Sequence, residues 1–165
     1  MQFTVAYTIT LRPNVDGYVS QWAPVGCDAS NHWMCVDESV SNTTDYLRAS
    51  LNRVNQTFNF TDLPPRGNYT IYNVDFHYYA KQYNSTKYAI QTLLNNGMGS
   101  EYFGKIFNLT SNYTNVQDNL YTNPFTGVAW TEMDVNNLQG GMRTALNYGG
   151  GYVAQVYVVV NYTLS

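Results

Sequence analysis

Charge is what this sequence has least of. Of its 165 residues only 12% are Asp, Glu, Lys or Arg, against about 25% in an average domain, and the formal net charge is −3. Lysine occurs only as Lys81, Lys87 and Lys105. There is no basic field to hold nucleic acid and no basic amphipathic stretch to lie on a membrane. No apolar run approaches the ~20 residues of a membrane-spanning helix. Histidine is limited to His32 and His77, and no nucleophile motif of the G-x-S-x-G type accompanies them. No catalytic constellation is visible, so the chain is expected not to be an enzyme and to need neither cofactor nor metal. Asp28, Asp37 and Glu38 lie close together in sequence and leave an adventitious calcium site as an alternative, although they lack the ligand spacing of a calcium loop.

Polarity comes instead from Asn, Thr, Gln and Ser, and 16 tyrosines supply most of the aromatic content. Such a surface stays polar without ionising, which suits an extracellular protein at extreme pH. Eight asparagines stand in N-x-T: Asn42, Asn55, Asn59, Asn68, Asn84, Asn108, Asn112 and Asn161. Chance pairing of the Asn and Thr present would give about two such matches. The excess points to N-glycosylation, which requires transit through a secretory membrane. The chain then reads as a mature, exported product, its signal peptide removed, at the cell surface.

Two cysteines agree with export. Cys27 and Cys35 in "GCDASNHWMC" are expected to pair, because an oxidising compartment favours the disulfide. The competing arrangement, C-x4-H-x2-C through His32, lacks a fourth metal ligand at the usual spacing.

Period-2 alternation dominates the rest. Strands are expected at Asn55 to Phe60, Thr70 to Gln82, Tyr88 to Leu94 and Tyr152 to Tyr162. Shorter ones are expected at Tyr18 to Trp22 and Tyr46 to Leu51. Tyr102 to Leu109 and Asn112 to Leu120 are expected to pair with each other. "RPNVDG" and "DLPPRGN" read as turns, and the segment from Pro24 to Ser39 as a loop stapled by the cysteines. One or two helical turns are expected from Asp134 to Gln139, capped by Thr131 or Asp134. "NYGGGYV" precedes a strand rather than a helix, so it reads as a loop and not a phosphate cradle. Trp22, Trp33, Trp130 and the tyrosines are expected in the core and at interfaces more than on a sugar platform. Short strands separated by turns, with no linker or repeat, predict one all-β sandwich.

The block "YTNPFTGVAWTEMDVNNLQGGMRTALNYGGGYVAQVYVVVNYT" resembles the closing half of a jelly-roll domain found in phage and viral structural proteins and in exported prokaryotic surface proteins. The matching positions are Asn123, Pro124, Thr126, Gly127, Trp130, Thr131, Leu138, Gly141, Val153, Gln155, Val156, Tyr157 and Val158. "LRPNVDG…QW…SNHWMCVDES" resembles the family's opening, and the cysteine pair departs from it. The resemblance implies a single jelly-roll-like antiparallel sandwich with one short helix over residues 10–165. It assigns no activity, because these residues build turns and core.

Residues 1–9 then stand outside the recognisable domain, although Phe3, Val5, Tyr7 and Ile9 form the cleanest alternation in the chain. An unpaired amphipathic strand is an aggregation hazard. It either pairs with its own sandwich or is donated to a neighbouring copy, building a head-to-tail homopolymer. The expectation is the second: a pilin-like, N-glycosylated extracellular filament subunit assembled by donor-strand complementation. Its composition and architecture are similar to those of archaeal threads. The alternative is a carbohydrate-binding or adhesive jelly-roll module, or a viral appendage protein. A row of exposed aromatics flanked by Asn and Gln would favour the module, and a vacant groove matching residues 3–9 would favour the filament.

Overall fold

The computed structural model describes residues 4–65, 67–83, 88–145 and 148–165. Its strands are β1 (Ala6–Leu11), β2 (Pro13–Ser20), β3 (Ala23–Val25), β4 (Tyr46–Arg48), β5 (Asn55–Phe60), β6 (Tyr69–Gln82), β7 (Ala89–Asn95), β8 (Glu101–Asn108), β9 (Thr114–Leu120), β10 (Gln139–Thr144) and β11 (Gly151–Leu164). A 3₁₀ turn at His32–Cys35 and helix α1 at Glu132–Asn137 interrupt them. Among the described residues the strands form two antiparallel sheets. Sheet A runs β3-β4-β11-β6-β9, with β1 also paired to β11, and sheet B runs β2-β5-β10-β7-β8. The sub-orders β1-β11-β6-β9 and β5-β10-β7-β8 are those of a jelly roll, two Greek keys closed on one core. The fold is therefore an all-β sandwich of jelly-roll type.

Alternation decides which side chains meet between the sheets. Val74, Phe76, Tyr78 and Ala80 of β6 and Val156, Val158 and Val160 of β11 turn inward from sheet A. Phe58, Ile90, Leu94 and Met142 meet them from sheet B. Three large buried side chains of this core pair their polar atoms, as burial favours, whereas Thr57 Oγ1 is buried without a partner. Trp22 Nε1 donates to the Val54 carbonyl at 3.1 Å, Trp130 Nε1 to the Leu120 carbonyl at 3.0 Å, and the Tyr78 hydroxyl to the Gly141 carbonyl at 2.7 Å.

Helix α1 runs two residues earlier than the expected Asp134 to Gln139, because Thr131 rather than Asp134 is its N-cap and Gln139 already opens β10; the cap is reciprocal. Asp134 N donates to Thr131 Oγ1 at 3.1 Å and Thr131 N donates to Asp134 Oδ2 at 2.9 Å. Other expectations are corrected. "RPNVDG" is not a turn but the start of β2, tolerable because Pro13 opens an edge strand and needs no ladder donor there. Strands β8 and β9 do not pair with each other. Each crosses to a different sheet, β8 to β7 and β9 to β6. β10 lies where the sequence pattern announces no strand, and its first residue, Gln139, falls at the end of the expected helix. Its Gly140–Gly141 pair leaves no side-chain alternation to read, and a Cβ on Gly140 would lie 2.7 Å from the Phe76 ring.

The N-terminal strand departs furthest from expectation. Residues 6–11 pair within the chain, antiparallel to β11, with Tyr7 opposite Tyr162, Ile9 opposite Val160 and Leu11 opposite Val158. The boundary expected at residue 10 falls inside this strand. The reason is topological: β1 is the first strand of the jelly roll itself, and it fills the edge of β11 that a donated strand would otherwise occupy.

Candidate functional site

The donor residues expected from sequence are now placed. Phe3 lies outside the described residues. Val5 is 57% exposed and Tyr7 42% exposed, with the Tyr7 ring stacked on Tyr162 at 5.6 Å. Ile9 is half-buried and packs on the core. A single residue, Arg12, separates β1 in sheet A from β2 in sheet B.

Cys27 and Cys35 are disulfide-bonded, their Cα atoms 5.4 Å apart, consistent with an oxidising, extracellular compartment. The bonded turn is held from β2, where Asp16 accepts from His32 N at 3.0 Å and from Trp33 N at 2.7 Å. His32 turns into a polar network, its Nδ1 lying 2.8 Å from Ser20 Oγ and 3.2 Å from Gln56 Oε1. Among the described residues no three of His, Cys, Asp and Glu converge on a metal position. Asp28 is held by its own turn through Ser30 N at 2.8 Å and the Asn31 amide at 3.2 Å. Glu38 faces Asp45 and Asp37, and burial first, then Asp45, pushes its carboxyl up to about 7.

Asn84 lies outside the described residues. The other seven sequon asparagines divide by setting. Asn68, Asn108 and Asn112 are exposed at strand ends and loops. Asn42 closes an Asx turn, accepting from Thr44 N at 3.0 Å. Asn55, Asn59 and Asn161 sit half-buried within strands. There the Asn59 amide nitrogen donates to the Asp16 carbonyl at 3.4 Å, and that of Asn161 to Asp75 Oδ2 at 3.2 Å. Those two nitrogens are the atoms a glycan would need.

The outer face of sheet A gathers tyrosines expected from the sequence in the core and at interfaces more than on an open platform. Opposite the buried side of β6 lie Asp75, His77, Tyr79 and Lys81, and opposite the buried side of β11 lie Tyr157 and Asn161. His77 and Tyr157 face each other across the ladder with centroids 4.5 Å apart and planes 7° apart. Asn115 of β9 ties both, accepting at His77 Nδ1 over 3.0 Å and donating to the Tyr157 hydroxyl over 3.1 Å. These contacts assign the His77 Nδ1 proton as the donor. Tyr79 stacks on Tyr113 at 5.1 Å.

Further along the same face a cleft of about 370 Å³ opens between Thr43, Tyr46, Lys81, Tyr113 and Tyr152. Lys81 Nζ stands 5.0 Å from the Tyr113 ring and 5.1 Å from the Tyr152 ring, so two aromatic walls flank one ammonium group. Tyr46 meets Tyr152 edge-on at 4.9 Å. Burial, then the neighbouring tyrosines, raises the Tyr113 and Tyr152 phenols above their ordinary range. They remain hydroxyl donors at neutral pH. Asn42 adjoins Thr43 and Asn112 adjoins Tyr113, so two sequons stand beside this cleft. Nothing in the sequence announces it, because Tyr46, Lys81, Tyr113 and Tyr152 come from four separate segments joined only by sheet register.

The strand order and these surfaces define a jelly-roll β-sandwich carrying an aromatic, hydroxyl- and amide-rich outer face. No protein-family model matches the chain, and no curated protein is similar enough to count as a match. Among solved structures it is similar to the NMR structure of the N-terminal cellulose-binding domain of β-1,4-glucanase C from Cellulomonas fimi. The identity is 15% over 88% of this chain and 86% of that one, with a TM-score of 0.36. The fold assignment stands on the strand order and not on this likeness.

Proposed function

We propose that the chain is a non-catalytic extracellular module that binds carbohydrate through the outer face of sheet A. The observation that carries this reading is the cleft walled by Tyr46, Tyr113 and Tyr152 around Lys81. Sugar recognition needs apolar walls for C–H faces and hydrogen-bonding groups for hydroxyls. Phenol hydroxyls, the Thr43 hydroxyl and the amide of Asn115 nearby on the same face supply the second. Isothermal titration against a panel of neutral oligosaccharides tests it. Tyr113→Ala and Tyr152→Ala should each weaken binding at least tenfold while leaving the circular dichroism unchanged. A folded protein that binds no saccharide at millimolar concentration would remove this reading.

A second reading keeps the chain as a subunit of an N-glycosylated surface filament, polymerised by exchange of β1 between copies. The excess of N-x-T sequons and the position of β1 at a sheet edge, one residue from the next strand, support it. Exchange would replace the cis ladder by the same ladder in trans, so little energy separates the two states. Electron microscopy of purified material decides between polymer and monomer. Deleting residues 2–9 should abolish any polymer, and mass spectrometry should find glycans first at Asn42, Asn68, Asn108 and Asn112.

A further inference from the structure

On sheet B, away from the tyrosine cleft, a pocket of about 420 Å³ is lined by Arg53, Asn55, Arg143 and Thr144. Two guanidinium groups therefore border one small space in a chain with only eight Lys and Arg residues. Arg143 is held from behind: its Nε donates to Gln91 Oε1 at 2.8 Å, and its guanidinium carbon lies 3.6 Å from the centroid of the Phe103 ring. These contacts fix the plane of the fork and leave its terminal nitrogens for the pocket. Arg53 stands at φ 58, a left-handed backbone that a side chain of its kind rarely adopts. Neither arginine forms an ion pair among the described residues. Glu101, whose field reaches Arg143, already accepts the Tyr18 hydroxyl. Thr144 Oγ1 accepts from Val54 N at 2.8 Å, and the Asn55 side-chain amide bonds to no described residue.

We infer that this pocket binds an oxyanion flanked by a hydroxyl, the carboxylate or sulfate of an acidic saccharide, with Arg53 and Arg143 on the oxyanion and Asn55 on the hydroxyl. No carboxylate lines the pocket, Glu101 lying outside it, and across it Arg53 opposes the charge of Arg143; an anion between the two forks removes that repulsion while giving each bidentate hydrogen bonds. The free amide beside them selects a ligand with a hydroxyl next to its charge over a bare inorganic anion. The site is separate from the tyrosine cleft and does not depend on it.

Oligogalacturonate and its methyl ester test this directly, since they share a backbone and differ in charge. Dextran sulfate against dextran distinguishes sulfate from carboxylate. The acid should bind at least tenfold tighter than the ester, and its advantage should shrink as salt rises from 50 to 500 mM. Arg53→Asn and Arg143→Gln should each cancel most of the preference, and Lys105→Gln should leave it intact. Arg143 also supports Phe103, so Arg53→Asn is the decisive variant: it lies in an exposed loop, and Asn adopts positive φ readily. Equal binding of acid and ester, or an undiminished preference in Arg53→Asn, would overturn the inference. So would a glycan on Asn55 in the mature protein, because the pocket wall would then be covalently filled.

Discussion

On sheet A long and aromatic residues turn away from the core: His77 and Tyr157, paired across the ladder, and Tyr79 stacked on Tyr113, with Asp75 and Asn161 beside them. On sheet B the corresponding middle row is Thr57, Gly141, Leu93 and Phe103, small at the centre. The chain itself covers that row except at its end, where Phe103 stays 40% exposed. Strand β2 leaves the ladder between Asp16 and Ser20, bringing Gly17 against Thr57 and Gln139, and the Tyr18 hydroxyl reaches Glu101 on the far-edge strand β8. Leu93 is consequently fully buried although it points away from the sandwich core. One outer face is thus built from half-buried side chains that pack on one another at the surface, and the other from backbone approach under a strap.

The comparison breaks hardest at Gly141. A Cβ there would overlap the Gln56 carbonyl of the neighbouring strand, so the close approach of β10 to β5 depends on glycine. Gly141→Val should cost roughly 3 kcal/mol or more through overpacking, read as a lower urea midpoint. Tyr79→Val, on the other sheet's face, should cost far less. Next in size is the disulfide that anchors the 3₁₀ turn near β2. Its two cysteines are 8 positions apart, and a loop that short gives about 2–3 kcal/mol on the chain-entropy estimate. Cys27→Ser with Cys35→Ser should lower Tm by roughly 5–10 °C for a chain of this size. An unchanged Tm would mean that Asp16 alone holds the turn.

The two faces also differ in how far the sequence discloses them. Strands β6 and β11 are visible because buried and less buried residues alternate from Val74 to Lys81 and from Val156 to Asn161, and the α1 cap is visible because Thr131 and Asp134 are three apart. The start of β2 is hidden because Pro13, Asn14, Asp16 and Gly17 are turn residues used here in an edge strand with a bulge. β10 is hidden because two adjacent glycines carry no pattern. The two candidate sites were not legible at all. Tyr113 reaches Tyr152, and Arg53 reaches Arg143, only through the crossover order of the jelly roll, which local periodicity does not encode. The surplus of tyrosine was plain in the composition, but alternation in a strand says which residues share a face and not which face meets water.

A gentler test of the aromatic face is Tyr157→Ala. It removes the stack on His77 and the Asn115 hydrogen bond, together worth about 1 kcal/mol. Asn115→Ala should cost less and leave the stack in place. If the two effects simply add in the double variant, the residues act separately. A coupling of a few tenths of a kcal/mol or more would show that the face behaves as one network.

The smallest expected effect concerns acid and base rather than packing. Glu38 lies in the segment between the 3₁₀ turn and β4, with Asp45 and Asp37 as its charged neighbours and Arg12 bound to its carbonyl at 2.7 Å. One of its carboxyl oxygens and one of Asp45's are buried without a hydrogen-bond partner. Burial first, then Asp45, lifts the Glu38 carboxyl from its ordinary 4.5 to about 7, so between those values the folded chain holds a proton that the unfolded chain releases. Stability from this group is therefore complete below about 4.5 and declines as pH rises through about 7. Asp37 and Asp75, also raised by burial, act in the same direction, and Asp28, lowered mainly by its Ser30 backbone hydrogen bond, acts against them. Tm measured from pH 4.5 to pH 8 should fall modestly. In Glu38→Gln, which keeps the shape without the proton equilibrium, the curve should be flatter, with the difference from wild type growing toward pH 8. A Glu38→Gln curve parallel to wild type across the window would place the titration elsewhere, with Asp37 and Asp75 as the next residues to change.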